Sequence, residues 1–144
     1  MESFSLISSS EAETQKIGRE FGQHLRRGMV IALVGDLGAG KTQFVKGVAS
    51  AMEIDPSIVS SPTFTIAHEY EGLLPIHHLD LYRLDGADEV RRSGVHEYLG
   101  GDGICLVEWP ERAETLLPEH TILVRLQHLG GDRRQIDCFP PESE

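Results

Sequence analysis

The chain has only two cysteines, no apolar run long enough to span a bilayer, and fewer basic than acidic residues, and each shortage removes a class of protein. Cys105 and Cys138 stand alone, each inside an apolar, strand-like run, so they read as small buried hydrophobes and not as a disulfide or a metal pair. A reducing cytosol is the natural setting. No segment approaches the roughly 20 apolar residues of a membrane-spanning helix, and Met1 to Ser10 lacks the basic stretch and longer apolar stretch of a secretory leader. A soluble cytoplasmic protein with no membrane partner is expected. The balance of 13 basic against 23 acidic residues, a formal charge of −10, disfavours a dominant electrostatic grip on a nucleic-acid backbone. Any RNA would then be held by another subunit. A length of 144 residues predicts one domain, 1–144, with a real core but little room for a separate substrate domain.

Against these shortages stands one glycine-rich segment. Gly35-Asp36-Leu37-Gly38-Ala39-Gly40-Lys41-Thr42 fits the pattern G-x-x-x-x-G-K-[ST] and follows the apolar run Met29 to Val34, as a phosphate-binding loop follows a strand. Its glycines let the backbone turn tightly, so that successive N–H groups converge on phosphates while the next helix presents its positive end. Lys41 would reach the β- and γ-phosphates, and Thr42 offers a hydroxyl to Mg²⁺. From Thr42 to Met52, apolar residues at Phe44, Val45, Val48, Ala49 and Met52 have helical spacing. A glycine-rich turn that fits the pattern by chance would leave both flanks unexplained. The expected ligand is a nucleoside triphosphate.

Elsewhere, Ser10 followed by Glu11, Glu13, Ile17, Phe21 and Leu25 predicts an N-capped helix running to about Arg27, with Gly28 ending it. Phe64 to Tyr70 and Leu74 to Tyr82 read as two strands joined through Glu71-Gly72, a hairpin-like pair. A helical stretch is expected from Ala87 through Tyr98, then a glycine-rich turn, a strand at Ile104 to Val107, and two more at Thr121 to Leu126 and Gln135 to Phe139. There is no internal repeat and no low-complexity linker. One strand–loop–helix unit combined with hairpin-like strands predicts an α/β fold with a mixed parallel and antiparallel sheet flanked by helices.

Phosphoryl transfer is catalysed mainly by positioning and charge neutralisation, so the loop needs an acidic partner for Mg²⁺ and a group to place the nucleophile. In Ile76-His77-His78-Leu79-Asp80-Leu81-Tyr82, a period of two puts His78, Asp80 and Tyr82 on one face, with Leu79 and Leu81 packing on the other. Asp80 reads as a site carboxylate or as a cap for the turn after the strand. Glu108 closes the apolar strand Ile104 to Val107 at its carboxyl end, where open α/β sheets bind ligands. It is a candidate magnesium ligand or water-orienting group, the plain alternative being a solvated strand-end acid. Thr63, in Ser60-Ser61-Pro62-Thr63-Phe64, either senses phosphate or belongs to an ordinary Ser-Pro turn. Trp109, before Pro110, reads as a core plug more readily than as a site aromatic. His77 and His78 alternate to opposite faces, which argues against a shared metal.

In this order, Gly35 to Thr42, Ser61-Pro62-Thr63-Phe64, His78-Leu79-Asp80-Leu81-Tyr82-Arg83-Leu84 and Leu106-Val107-Glu108-Trp109-Pro110 resemble the bacterial TsaE (YjeE-type) ATPases. The combination is much more specific than any single motif. The resemblance implies a single-domain P-loop NTPase that binds ATP and Mg²⁺ and hydrolyses ATP. In that family, hydrolysis serves the making of N6-threonylcarbamoyladenosine at position 37 of tRNAs reading ANN codons. TsaD transfers the threonylcarbamoyl group, TsaB supports TsaD, and tRNA is reached indirectly through the complex. By motif position, the resemblance assigns phosphate binding to Gly35, Asp36, Leu37, Gly38, Ala39, Gly40 and the catalytic Lys41. Thr42 and Glu108 would hold Mg²⁺, and Asp80 would act at the magnesium or the attacking water. Thr63 would belong to a switch-like segment, and Trp109 becomes a site residue. Glu11 to Thr14 and the pair Arg133-Arg134 resemble segments near the nucleotide base. Gln43 stands where the family commonly has a second threonine, a departure expected to tune binding without abolishing it.

Two other classes use the same loop. A small-molecule kinase needs an acceptor site and an arginine-rich lid, and the sequence has only scattered basic residues after the hairpin. A nucleotide-gated binding module needs no hydrolysis, which Asp80 and Glu108 argue against. No Asn-Lys-x-Asp segment is present to read guanine, and ATP is favoured by the resemblance alone.

Overall fold

Continuous apolar strands can be solvated on neither face, so Val30–Val34 and Ile104–Glu108 must lie inside a covered sheet. The computed structural model, which describes residues 1–36, 39–60 and 66–141, places them there. The strands are β1 (Phe4–Ser8), β2 (Val30–Val34), β3 (Ala67–Tyr70), β4 (Ile76–Asp80), β5 (Ile104–Glu108), β6 (Ile122–Gly130) and β7 (Arg133–Phe139). Among the described residues they form one sheet in the order β1-β7-β6-β2-β5-β4-β3. The central strand β2 runs parallel to β5 and β6, and β4 runs parallel to β5. Antiparallel pairs close both sides: β3 with β4, and β7 between β6 and β1. The sheet is therefore mixed, as the patterning predicts.

The helices are α1 (Glu11–Gly22), α2 (Lys41–Ala51) and α3 (Ala87–Ser93). One core cluster, including Phe21, Phe44, Leu33, Leu106 and Ile136, joins the sheet to α1 and α2. A second, including Val30, Leu79, Leu81, Val90 and Val107, fills the other face. Cys105 and Cys138 are buried and unpaired, and burial pushes their thiols up to about 12 and about 11. Both are inert core residues, as expected. No described helix is long and apolar enough to cross a membrane.

Several boundaries differ from the sequence reading. Ser10 does cap α1, accepting the Glu13 N–H at 3.0 Å while Glu13 reaches back to the Ser9 N–H. The helix stops at Gly22, however, well short of Arg27. The N–H groups of His24 and Leu25 bond three residues back, to Phe21 and Gly22, and this tighter turn tucks Leu25 into the core. The expected helix from Ala87 through Tyr98 divides at Gly94, whose φ of 83° ends α3 and starts a 3-10 turn at Val95–Tyr98. β4 is shorter than Leu74 to Tyr82, and β6 and β7 extend beyond their expected limits. Of the first hairpin strand, Phe64 and Thr65 lie outside the described residues. Strand β1 and the 3-10 segment Pro110–Leu116 were not anticipated.

The contact that aims α2 is its packing on α1. A Cβ on Gly47 would stand 2.0 Å from the Gln15 carbonyl oxygen, and one on Gly18 would stand 2.3 Å from that of Phe44. The two helices thus touch backbone to backbone. Gly47→Ala should separate them and cost about 1–3 kcal/mol, lowering Tm by about 5 °C or more, whereas Gly101→Ala, where no atom comes nearer than 3.5 Å, should leave Tm unchanged. Thermal melts of the two variants check this.

Candidate nucleotide-binding site

β2 delivers the chain to Gly35 at the carboxyl edge of the sheet, and α2 begins only six residues later at Lys41. In the turn between them the Ala39 N–H bonds the Asp36 carbonyl at 2.9 Å, and Gly40 sits at φ 96°, a conformation natural only to glycine. Leu37 and Gly38 lie outside the described residues, as does Thr63. Lys41 and Thr42 therefore start a helix at the sheet's edge, where N–H groups are unpaired within the helix.

Parallel pairing of β4 with β5 sets Asp80 directly beside Glu108, and pairing of β2 with β5 sets Leu33 on the other side of Glu108. Lys41 Nζ lies 3.5 Å from Glu108 Oε1 and 5.5 Å from the centroid of the Trp109 ring. Glu108 is only 5% exposed. Burial pushes its carboxyl up, but the hydrogen bond from His78 and the positive field of His78 and Lys41 outweigh burial and hold it below the usual glutamate range. Asp80 moves the other way. Burial raises its carboxyl and the Glu108 charge adds to this, against the Tyr82 N–H bonded to Oδ1 at 2.9 Å. That bond means Asp80 does cap the turn after β4, while the register keeps it beside Glu108. The two adjacent carboxylates are thus shifted in opposite directions, Glu108 down and Asp80 up.

Trp109 packs in part as the core plug that its spacing suggests. Its φ of 59° and ψ of 51° turn the chain sharply between Glu108 and Pro110. The ring packs on the second core cluster, lies 4.9 Å from Tyr82, and also lines a cavity of about 400 Å³ with Lys41, Asp36 and Gly35. His77 and His78 part company as alternation predicts: His77 stacks on Tyr98 at 4.6 Å, and His78 bonds Glu108.

The family model described as threonylcarbamoyl adenosine biosynthesis protein TsaE matches residues 8–136, a span that holds every element of this site. The chain belongs to the TsaE family. It is 44% identical over 125 residues to the tRNA threonylcarbamoyladenosine biosynthesis protein TsaE of Bacillus subtilis, covering 86% of this chain and 77% of that one. The protein of the same description from Treponema pallidum is 40% identical over 130 residues, covering 90% and 96% of the two chains. The crystal structure of Bacillus subtilis YdiB superposes with a TM-score of 0.78 at 34% identity, covering 98% of this chain and 87% of that one.

Other features of this TsaE-family chain were not legible in its motifs. Arg125, His128 and Glu111 line the same cavity, yet no spacing marks them out. Of the arginine pair, Arg134 lies against the glycine loop, its Cγ and Nε 3.8 Å from where a Cβ on Gly40 would stand. Arg133 is exposed, and Glu11 is exposed in the first turn of α1. Gln43 accepts a hydrogen bond from Gln15 Nε2 at 2.7 Å, which ties the loop helix to α1. The signal for the unforeseen His78–Glu108 contact was present: two polar residues on the same face of adjacent apolar strands must meet or go unpaired.

Because the Glu108 carboxyl titrates lower in the folded chain than in the unfolded one, it adds stability above the ordinary value of 4.5, and that share is lost as pH falls below it. The stability difference between wild type and Glu108→Gln, read from urea titrations, should shrink from about pH 6 to about pH 3. A pH-independent difference would mean that Lys41 and His78 do not stabilise the ionised form.

Proposed function

We propose that this chain is a Mg²⁺-dependent ATPase that works with TsaB and TsaD in forming N6-threonylcarbamoyladenosine on tRNA. The observation that carries the reading is the convergence of Lys41, Asp80 and Glu108 at the carboxyl ends of β2, β4 and β5, beside a glycine loop that opens α2. Membership in a family named for threonylcarbamoyl adenosine biosynthesis supplies the pathway.

The donors suit magnesium. Two neighbouring carboxylates and the Thr42 hydroxyl are hard oxygen ligands, and Mg²⁺ takes one or two carboxylates, completing its shell with phosphate oxygens and water. Thr42, Glu108 and Asp80 would hold the ion, whose charge would offset that gathering on the transferring phosphoryl group. Lys41 would exchange part of its contact with Glu108 for the β- and γ-phosphates. Asp80, the carboxylate shifted upward, is suited to orient water for in-line attack. Trp109 and Tyr82 would screen this space from bulk solvent. Contact with tRNA only through the partners fits the formal charge of −10.

Mg·ATP hydrolysis by the purified chain, alone and with TsaB plus TsaD, tests the reading. Strong stimulation by the partners is expected; a phosphorylated metabolite in place of free phosphate would point to a kinase instead. Lys41→Ala should lower turnover by about 100-fold or more, the scale of losing one electrostatic group at a reacting centre. Thr42→Ala should chiefly raise the Mg²⁺ concentration needed for half-maximal turnover. A wild-type magnesium titration for that variant would remove Thr42 from the ligand set.

A further inference from the structure

The two oxygens of Glu108 have different partners. Oε1 faces Lys41, while Oε2 lies 2.6 Å from His78 Nε2. His78 is completely buried, and its Nδ1 has no hydrogen-bond partner among the described residues. Its ring lies 6.3 Å from that of Tyr70, and in the sheet it stands opposite Leu106, one step behind the Asp80–Glu108 pair and on the same face. An imidazole with one ring nitrogen unpartnered is a costly way to fill an apolar core, and a leucine would pack there without that cost. What the leucine lacks is the N–H that meets Glu108.

We propose that His78 is a positioning residue that acts through Glu108. By holding Oε2 inward, His78 turns Oε1 toward Lys41 and the glycine loop, so that Glu108 would offer this oxygen to a magnesium ion bound with the nucleotide. Without this bond the carboxylate is free to rotate, and neither oxygen is held toward the loop. The inference rests on the nucleotide reading of the site and assigns a role to a residue outside the ligand set.

Side-chain reach separates this role from mere packing. The amide nitrogen of glutamine can stand near the place of Nε2, whereas that of asparagine reaches only as far as Nδ1. ATP binding is followed by the fluorescence of Trp109, the sole tryptophan, in EDTA and in Mg²⁺, for His78→Asn and His78→Gln, each with Glu108 intact and with Glu108→Gln. In EDTA both variants should bind ATP as wild type does. The tightening that Mg²⁺ brings should fall by about 10-fold in His78→Asn, as for other groups that orient a metal ligand, and return in large part in His78→Gln. With Glu108→Gln present, His78→Asn should add no further loss. Equal loss in both backgrounds, or wild-type Mg²⁺ dependence in His78→Asn, overturns the inference while leaving the nucleotide reading intact. Wild type that shows no Mg²⁺-linked ATP binding overturns both. Melting curves establish that each variant is folded, and His78→Leu replaces His78→Asn in the same comparison if the latter is not.

Discussion

A carboxylate can be buried among apolar strands only where donors and positive charge meet it, and Glu108 is that group here. Its two compensating contacts come from opposite directions, Lys41 from the start of α2 and His78 from the neighbouring strand β4. Each demands a particular arrangement of the chain. Lys41 is within reach because β2 ends and α2 begins within one short glycine loop at the sheet's edge. His78 is within reach because β4 runs parallel to β5 in a register that also brings Asp80 level with Glu108. A shift of one residue in that register would turn His78 and Asp80 to the opposite face and leave Glu108 buried without its hydrogen bond.

The helical layer serves the same constraint. α2 approaches α1 so closely that glycine is required at Gly18 and Gly47, and the Gln15–Gln43 bond adds a polar tie at the end nearest the loop. The α2 axis, and with it the direction of Lys41, is set by packing across a wide contact and not by the loop alone. On the far face, Trp109 packs against the second cluster and Pro110 is buried, which anchors the turn after Glu108.

Much of this was legible where local chemistry decides structure. The strand and helix on either side of the loop, the capped start of α1, the buried strands and the alternation at His77 to Leu81 each express a short-range rule, and the structure follows them, whereas Tyr82, expected on the face of His78 and Asp80, lies in the turn beyond β4. What escaped depends on distant partners. Phe4 to Ser8 has no clean alternation, and it becomes β1 through pairing with β7 at the other end of the chain and a buried contact between Ser8 and Thr14. Arg125 and Glu111 are unremarkable in sequence and enter the cavity only because β6 and the segment after Trp109 both flank β2. The placement of Arg134, and not Arg133, against Gly40 turns on a one-residue choice of face that hydrophobicity could not decide in so polar a stretch. The early end of α1 belongs to the same group, because it is Leu25 seeking the core that tightens the last turns.

The sheet order also has a temporal meaning. β2, which leads into the glycine loop, is flanked by β5 at residues 104–108 and by β6 at residues 122–130, so both neighbours are synthesised long after it. Loop closure over such separations is slow, and a strand this apolar exposes sticky surface until it is covered. A nascent chain that has passed Lys41 but not yet reached Ile122 holds the glycine loop without the sheet that shapes it. Until β6 has been made, β2 lacks one of the two strands that pair with its edges.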